Sequence, residues 1–166
     1  MLGIMATKAE KLSNARNTLT QKTLGNKGIA TVMVDYREIS QGQRMGMACL
    51  GENMVGAGVE KVDVNGYDKI QLYFEYNGNQ TILHDLDNSK KRIWIRLNID
   101  AINNKHQFSY STDGKQFINM GQDFEERNSA WKGSRVGLYS YTDKDKGGMV
   151  YFDNFEYKVD GPGKLK

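Results

Sequence analysis

Proline, cysteine and histidine are nearly missing from this sequence. It holds one proline (Pro162), one cysteine (Cys49) and two histidines (His84 and His106) in 166 residues. A single cysteine excludes an internal disulfide and every multi-cysteine zinc site, and a metal centre built from His and Cys fails by count. With proline so scarce, turns must come from glycine, helped by Asn and Asp. Glycine supplies 18 residues, about 11% against a usual ~7%. Long apolar runs are absent too, so no segment reads as a membrane-spanning helix. The first residues carry no basic stretch followed by an apolar one, so no secretion signal is expected. Nor is charge of one sign in excess: 23 Lys+Arg against 20 Asp+Glu leave +3. Neither nucleic acid nor an anionic membrane is therefore expected as a partner. The chain length suits a single domain, 1–166, with a core large enough to need no staple.

What is present points to strands. Ile29–Tyr36, Arg44–Leu50, Asn53–Val64, Lys69–Tyr76 and Gln80–His84 are apolar or alternating runs bounded by Gly, Asn or Asp. Arg92–Asp100 gives the clearest period of two: Ile93, Ile95, Leu97 and Ile99 on one face, Trp94, Arg96, Asn98 and Asp100 on the other. His106–Thr112, the turn Asp113-Gly114 and Gln116–Asn119 read as a hairpin. Arg135–Tyr141 and Met149–Val159 read as two closing strands. Phe124–Lys132 is the one stretch expected to be helical or irregular, and Asp160–Lys166 is expected to fray. Leu2–Ile4 suits a short strand and Ala6–Leu12 a turn or brief helix. About ten strands at spacings of 8–12 residues, with no alternating helices, predict an all-β sandwich.

Few residues offer chemistry. There is no G-x-S-x-G elbow, and no E-x-D-x-x-E strand of the laminarinase kind. His84 and His106 are expected on the surface, and Cys49, within the apolar run MACL, as a buried inert thiol. The carboxylates Asp35, Glu38, Glu60, Asp63, Asp85, Asp87, Glu125 and Glu126 read as solvated turn residues. No cofactor is called for; a structural calcium is the one ion considered. Its oxygen ligands would come from Asp143, Asp145 and Asp153 near the turn TDKDKGG, with Asp153 the named metal candidate. On the polar face of Arg92–Asp100, Trp94 offers a stacking surface for a sugar ring, and Arg96 and Asn98 offer hydrogen bonds to hydroxyls. Tyr139 and Tyr141 alternate in the same way and are expected to extend that carbohydrate-binding face.

Five stretches taken in order carry a resemblance: Ala15–Gln21 (ARNTLTQ), RMGMACL, IWIRLNID, FSYSTDGKQF, and RVGLYSY with GGMVYFDNFEY. Together they resemble the C-terminal concanavalin-A-like (jelly-roll) antiparallel β-sandwich of glycoside hydrolase family 43, the β-xylosidases and α-L-arabinofuranosidases. The resemblance runs from about Ala6 to Tyr157.

The resemblance implies a non-catalytic accessory domain. In the family, inverting hydrolysis belongs to a five-bladed β-propeller that precedes the sandwich, so no catalytic residue carries over. The implied partners are that catalytic propeller, in the same polypeptide, and plant cell-wall oligosaccharides. A periplasmic or extracellular setting would follow. The family's domain opens with a further strand, so the chain reads as a fragment of a larger glycosidase with an exposed edge. Arg16, Asn17, Thr18 and Gln21 match the region that meets the propeller or the substrate entrance. No aromatic lies between Arg16 and Tyr36, a departure from the family's pocket-narrowing loop. The alternative reading is a free-standing, lectin-like carbohydrate-binding module.

Overall fold

The computed structural model describes residues 1–127 and 133–161. Among them lie thirteen strands: β1 (Leu2–Met5), β2 (Thr7–Lys8), β3 (Thr18–Lys22), β4 (Lys27–Glu38), β5 (Gln43–Leu50), β6 (Met54–Val64), β7 (Tyr67–Tyr76), β8 (Asn79–Leu86), β9 (Arg92–Asp100), β10 (Lys105–Ser111), β11 (Ile118–Phe124), β12 (Arg135–Thr142) and β13 (Met149–Val159). One 3₁₀ turn, Leu12–Asn14, interrupts them.

Sheet one runs β1-β13-β4-β9-β10-β11. Sheet two runs β2-β12-β5-β6-β7-β8, with β3 also on the free edge of β12. All pairings are antiparallel except β2 on β12. This is the expected antiparallel β-sandwich, and the period-two pattern explains it. The inward residues Ile93, Ile95 and Leu97 of β9 meet Met45, Met47, Val55, Val59 and Leu72 from sheet two in one core. Each buried aliphatic side chain contributes about 1.5–3 kcal/mol of apolar transfer.

The turns follow the glycine and asparagine supply. Asn65-Gly66 and Asn77-Gly78 both take positive φ at two successive residues, the conformation that two-residue hairpins need. They join β6 to β7 and β7 to β8. The Asp113-Gly114 turn is longer than a two-residue hairpin. Pairing resumes at Tyr110 and Ile118, and Asp113 Oδ1 accepts the N–H groups of Lys115 (2.8 Å) and Gln116 (3.0 Å) inside the loop.

Two expectations need correction here. Phe124 ends a strand rather than opening a helix, because Phe108 and Phe124 stack at 5.6 Å inside the core. Residues 125–127 are irregular, and 128–132 lie outside the described residues. At the tail, Asp160 is held: its Oδ1 accepts N–H groups of Asn26 (2.8 Å) and Lys27 (3.1 Å). Residues 162–166 also lie outside the described ones.

Candidate functional site

The outer face of sheet two is built around missing side chains. Across four strands one row reads Tyr139, Gly46, Gly58, Tyr73. The two central glycines leave the sheet bare, so both tyrosine rings reach inward over it. Their hydroxyls meet at 2.6 Å. A Cβ on Gly58 would lie 1.9 Å from the Met45 carbonyl oxygen, so no larger residue fits.

The next row is Gly137, Ala48, Gly56, Glu75. Into this floor drops Leu12, 3% exposed. Its Cδ2 would be 3.0 Å from a Cβ on Gly56. Ala9, Leu12, Ala48, Tyr73, Tyr139 and Tyr141 form a second apolar cluster outside the main core.

Glu75 stands beside it, buried. Burial pushes its carboxyl up, opposed by hydrogen bonds from the Tyr141 hydroxyl and the Leu12 backbone amide and by the nearby Arg44 charge. Arg44 is itself paired with Glu60 at 2.8 Å.

This seat fixes a strap, residues 9–17, across the sheet. The Ala9 N–H donates to the Thr142 carbonyl at 2.9 Å. At the strap's far end, Asn17 Nδ2 donates to the Met5 carbonyl, and Thr18 Oγ1 to the Ala15 carbonyl at 3.0 Å. β3 then begins, paired to β12. Arg16 and Gln21 are exposed, and Asn17 and Thr18 half-buried.

Three adjoining recesses border this N-terminal face. A polar one of about 1050 Å³ lies between Lys8, Glu10, Asn14, Arg16 and Asp143. A second, about 350 Å³, shares Arg16 and runs along Asn17, Thr18 and Leu19. A third, about 400 Å³, shares Leu19 and is apolar: Leu2, Leu138, Phe152 and Phe155 line it. Arg16, Asn17, Thr18 and Gln21, singled out by the sequence, are thus brought together on one surface with both charged and apolar parts.

The other set is not brought together. Trp94, Arg96 and Asn98 do share the outer face of sheet one, each half-buried. But the loop after β10 folds onto that face. A Cβ on Gly114 would lie 3.0 Å from Trp94 Cε2. The Arg96 guanidinium sits 3.5 Å from the centre of the Phe117 ring, with Nε donating to Thr31 Oγ1 at 3.2 Å. Tyr139 and Tyr141 belong to sheet two, on the opposite side of the molecule, and are 0% and 1% exposed beneath the strap. They cannot extend the Trp94 face. Their alternation was real, but the cover over them came from a segment distant in sequence.

The histidines divide. His84 is exposed, with its Nε2 3.1 Å from the Tyr110 hydroxyl. His106 is 1% exposed, against expectation. Its ring packs on Phe124 at 5.5 Å, Nε2 lies 3.7 Å from Glu126, and Nδ1 has no hydrogen-bond partner among the described residues. Burial pulls its pKa down. Cys49 is buried as expected, and burial and the neighbouring Glu126 raise its thiol pKa well above the usual value.

Two carboxylates read as solvated are buried: Asp35 and Glu60, 0% and 4% exposed. Burial would raise Asp35, but hydrogen bonds from Arg37 and Arg92 outweigh it and hold its pKa low. Such arginine-clamped carboxylates suit structure better than acid–base work.

Each calcium candidate is paired with a cation. Asp153 faces the N-terminal amine at 3.4 Å, Asp145 pairs with Lys8 at 2.7 Å, and Asp143 with Lys144 at 3.8 Å. Among the described residues no group of three or more His, Cys, Asp or Glu is placed to hold a metal ion.

Comparison with known proteins bears on the whole fold. The family described as beta xylosidase C-terminal concanavalin A-like domain matches residues 1–158. A beta-xylosidase of Formosa agariphila is 33% identical over 149 residues, 89% of this chain and 24% of that protein. A putative beta-xylosidase of Xylanibacter ruminicola is 31% identical over 136 residues, 82% of this chain and again 24% of that protein. The chain therefore spans about a quarter of the length of the curated relatives it matches.

Among solved structures, one is a family 43 glycoside hydrolase engineered to show endo-xylanase and exo-arabinofuranosidase activity. It aligns with a TM-score of 0.79 at 24% identity, over 94% of this chain and 34% of the other. A bifunctional family 43 protein of Bacteroides eggerthii gives 0.80 at 22%, over 95% and 20%. At such identities these structures speak for the fold.

Proposed function

The chain belongs to the family of β-xylosidase C-terminal concanavalin A-like domains, and from that premise we propose that it works as the accessory sandwich of a family 43-type glycosidase acting on xylose- or arabinose-containing plant cell-wall oligosaccharides. It docks on the catalytic domain through the N-terminal face. The observation that carries this reading is the continuity of three recesses around Arg16 and Leu19. A mixed surface, with apolar parts beside a charged rim, is the anatomy of an interface between protein parts.

Arg16, with its five donors, is placed to bind a carboxylate or carbonyl of the catalytic domain or a hydroxyl of the substrate. Asn17 holds its amide on the Met5 carbonyl, and Thr18 its hydroxyl on Ala15. These two shape the end of the strap and the start of β3, and leave Arg16 of the strap and Gln21 of β3 as the reaching side chains. The sugar-binding alternative rests on Trp94, whose one ring face Gly114 already covers.

The test is a chimera: the Formosa agariphila β-xylosidase with its matching quarter replaced by this chain. Hydrolysis of xylobiose should persist in the chimera, be lost on removing the domain, and fall in kcat/KM with Arg16→Ala. Activity that ignores the domain's removal would contradict the reading.

A further inference from the structure

Asparagine or aspartate stands directly before glycine at four places: Asn65-Gly66, Asn77-Gly78, Asp113-Gly114 and Asp160-Gly161. Glycine leaves its backbone nitrogen unshielded and free to swing toward the carbonyl carbon of the preceding side chain. The fold treats the four pairs differently. Asp113 Oδ1 accepts the Lys115 and Gln116 amides, and Asp160 Oδ1 those of Asn26 and Lys27. Asn77 is held at both ends of its amide. Its Oδ1 accepts the Met54 N–H at 2.8 Å, and its Nδ2 donates to Asn53 Oδ1 at 3.0 Å.

Asn65 is the exception. Its side chain makes no hydrogen bond among the described residues. It stands exposed at the tip of the β6–β7 hairpin, between Val64 and Tyr67, the latter 74% exposed. A Cβ on Gly66 would meet nothing within 4 Å. The Gly66 N–H donates to Asp63 Oδ1 at 3.0 Å, a surface contact that water readily replaces.

We propose that Asn65 is a site of spontaneous deamidation through a succinimide, and that the fold protects Asn77, its twin in sequence and turn type. The Gly66 nitrogen gives its proton to hydroxide and attacks Asn65 Cγ. The Cγ–Nδ2 bond breaks, and Nδ2 leaves as ammonia. Water then opens the ring at one carbonyl or the other, giving aspartate or isoaspartate. Ring closure needs a backbone angle other than that of the left-handed turns, at φ +56° for Asn65 and +49° for Asn77, so each tip must open first. Opening at Asn77 breaks two more side-chain hydrogen bonds than at Asn65, which makes it rarer by about ten- to a hundredfold. Either product adds a carboxylate beside Asp63 and Asp68, which face each other across the hairpin, and like charges there loosen the tip further.

The free chain is aged at mildly alkaline pH, folded and in concentrated urea, and its tryptic peptides 62–69 and 70–90 are followed by mass spectrometry, with fragmentation placing the change. In the folded chain Asn65 should convert about ten- to a hundredfold faster than Asn77. In urea the two rates should converge. Asn53→Ala should raise the rate at Asn77 and leave that at Asn65 unchanged. Equal rates in the folded chain, or Asn77 ahead, would overturn the proposal. So would a ratio in urea equal to the folded one, because flanking residues rather than the fold would then set it. No conversion of folded Asn65 in the time that completes it in urea would overturn it as well.

Discussion

Replacing Leu12 by Ala asks whether the strap is seated by one side chain. Leu12 is 3% exposed, rests on Gly56 and Tyr139, and anchors the second apolar cluster. Buried Leu→Ala changes cost about 2–5 kcal/mol. A strap one residue thick can collapse partly into the space left, which places the cost at the lower end, about 2–3 kcal/mol. The loss is local, because sheet two and the main core do not depend on Leu12. Backbone bonds near the strap, Ala9 to Thr142 and Ala15 to Leu12, open without the sheet unfolding. At 1.4 kcal/mol per factor of ten, amides of residues 9–17 should exchange about 30–150 times faster in the variant. Amides of β5, β6 and β9 should exchange almost unchanged. Residue-level hydrogen exchange by NMR gives both numbers at once. Acceleration equal in strap and core would show that Leu12 belongs to the global fold. No acceleration at all would show that the hydrogen bonds alone hold the strap.

Three further perturbations follow from the same geometry. Glu75 is raised above its unfolded value by burial, so its charged form weighs against folding once pH climbs past the folded value, and stability falls as pH rises from below 4.5 through that range. Glu75→Gln keeps an acceptor for Leu12 and Tyr141, and should flatten this part of the melting-temperature profile between pH 4 and 7; an unchanged slope would count against it. Gly58→Ala would set a Cβ 1.9 Å from the Met45 carbonyl; forcing the strands apart should cost about 3 kcal/mol or more, and a melting temperature within 2–3 °C of the parent would refute the close approach. Asp113, held down to about 2 by the Lys115 and Gln116 amides and the Ser111 hydroxyl, secures the loop over Trp94; Asp113→Ala, or acidification toward pH 2, should shift tryptophan emission to longer wavelength, whereas Lys115→Ala should not.

The fold was legible because strand alternation is a local signal. Arg92–Asp100 alone fixed which residues face the core, and the glycine-for-proline balance fixed how the strands connect. The resemblance of ARNTLTQ and its companion stretches pointed to the family and to the strap region. What local pattern could not carry was the cover. Tyr139 and Tyr141 alternate as exposed residues would, yet Leu12, some 127 residues earlier in the chain, roofs them. His106 begins an ordinary-looking strand, but the return of β11 lays Phe124 on it. Asp35 and Glu60 looked like surface charges until pairing across strands brought Arg92 and Arg44 to them. Leu19 and Phe155 lie far apart in the sequence and become a shared rim only when β3 and β13 end up on the same open side of the sandwich. A signal existed for one of these: small residues recur every second position, Gly46 and Ala48 in RMGMACL and Gly56 and Gly58 in NMVGAGV, which marks a bare strip on one sheet face waiting for something to lie on it.

The most direct test of the account is a calorimetric titration of this chain with the separately produced catalytic part of the Formosa agariphila β-xylosidase, run beside a titration with xylohexaose. The account predicts saturable one-to-one association with the protein, weakened by Arg16→Glu, and no saturable heat with the sugar at millimolar concentration. Heat from xylohexaose that disappears in Trp94→Ala, with none from the catalytic part, would contradict it and make the chain a sugar-binding module in its own right.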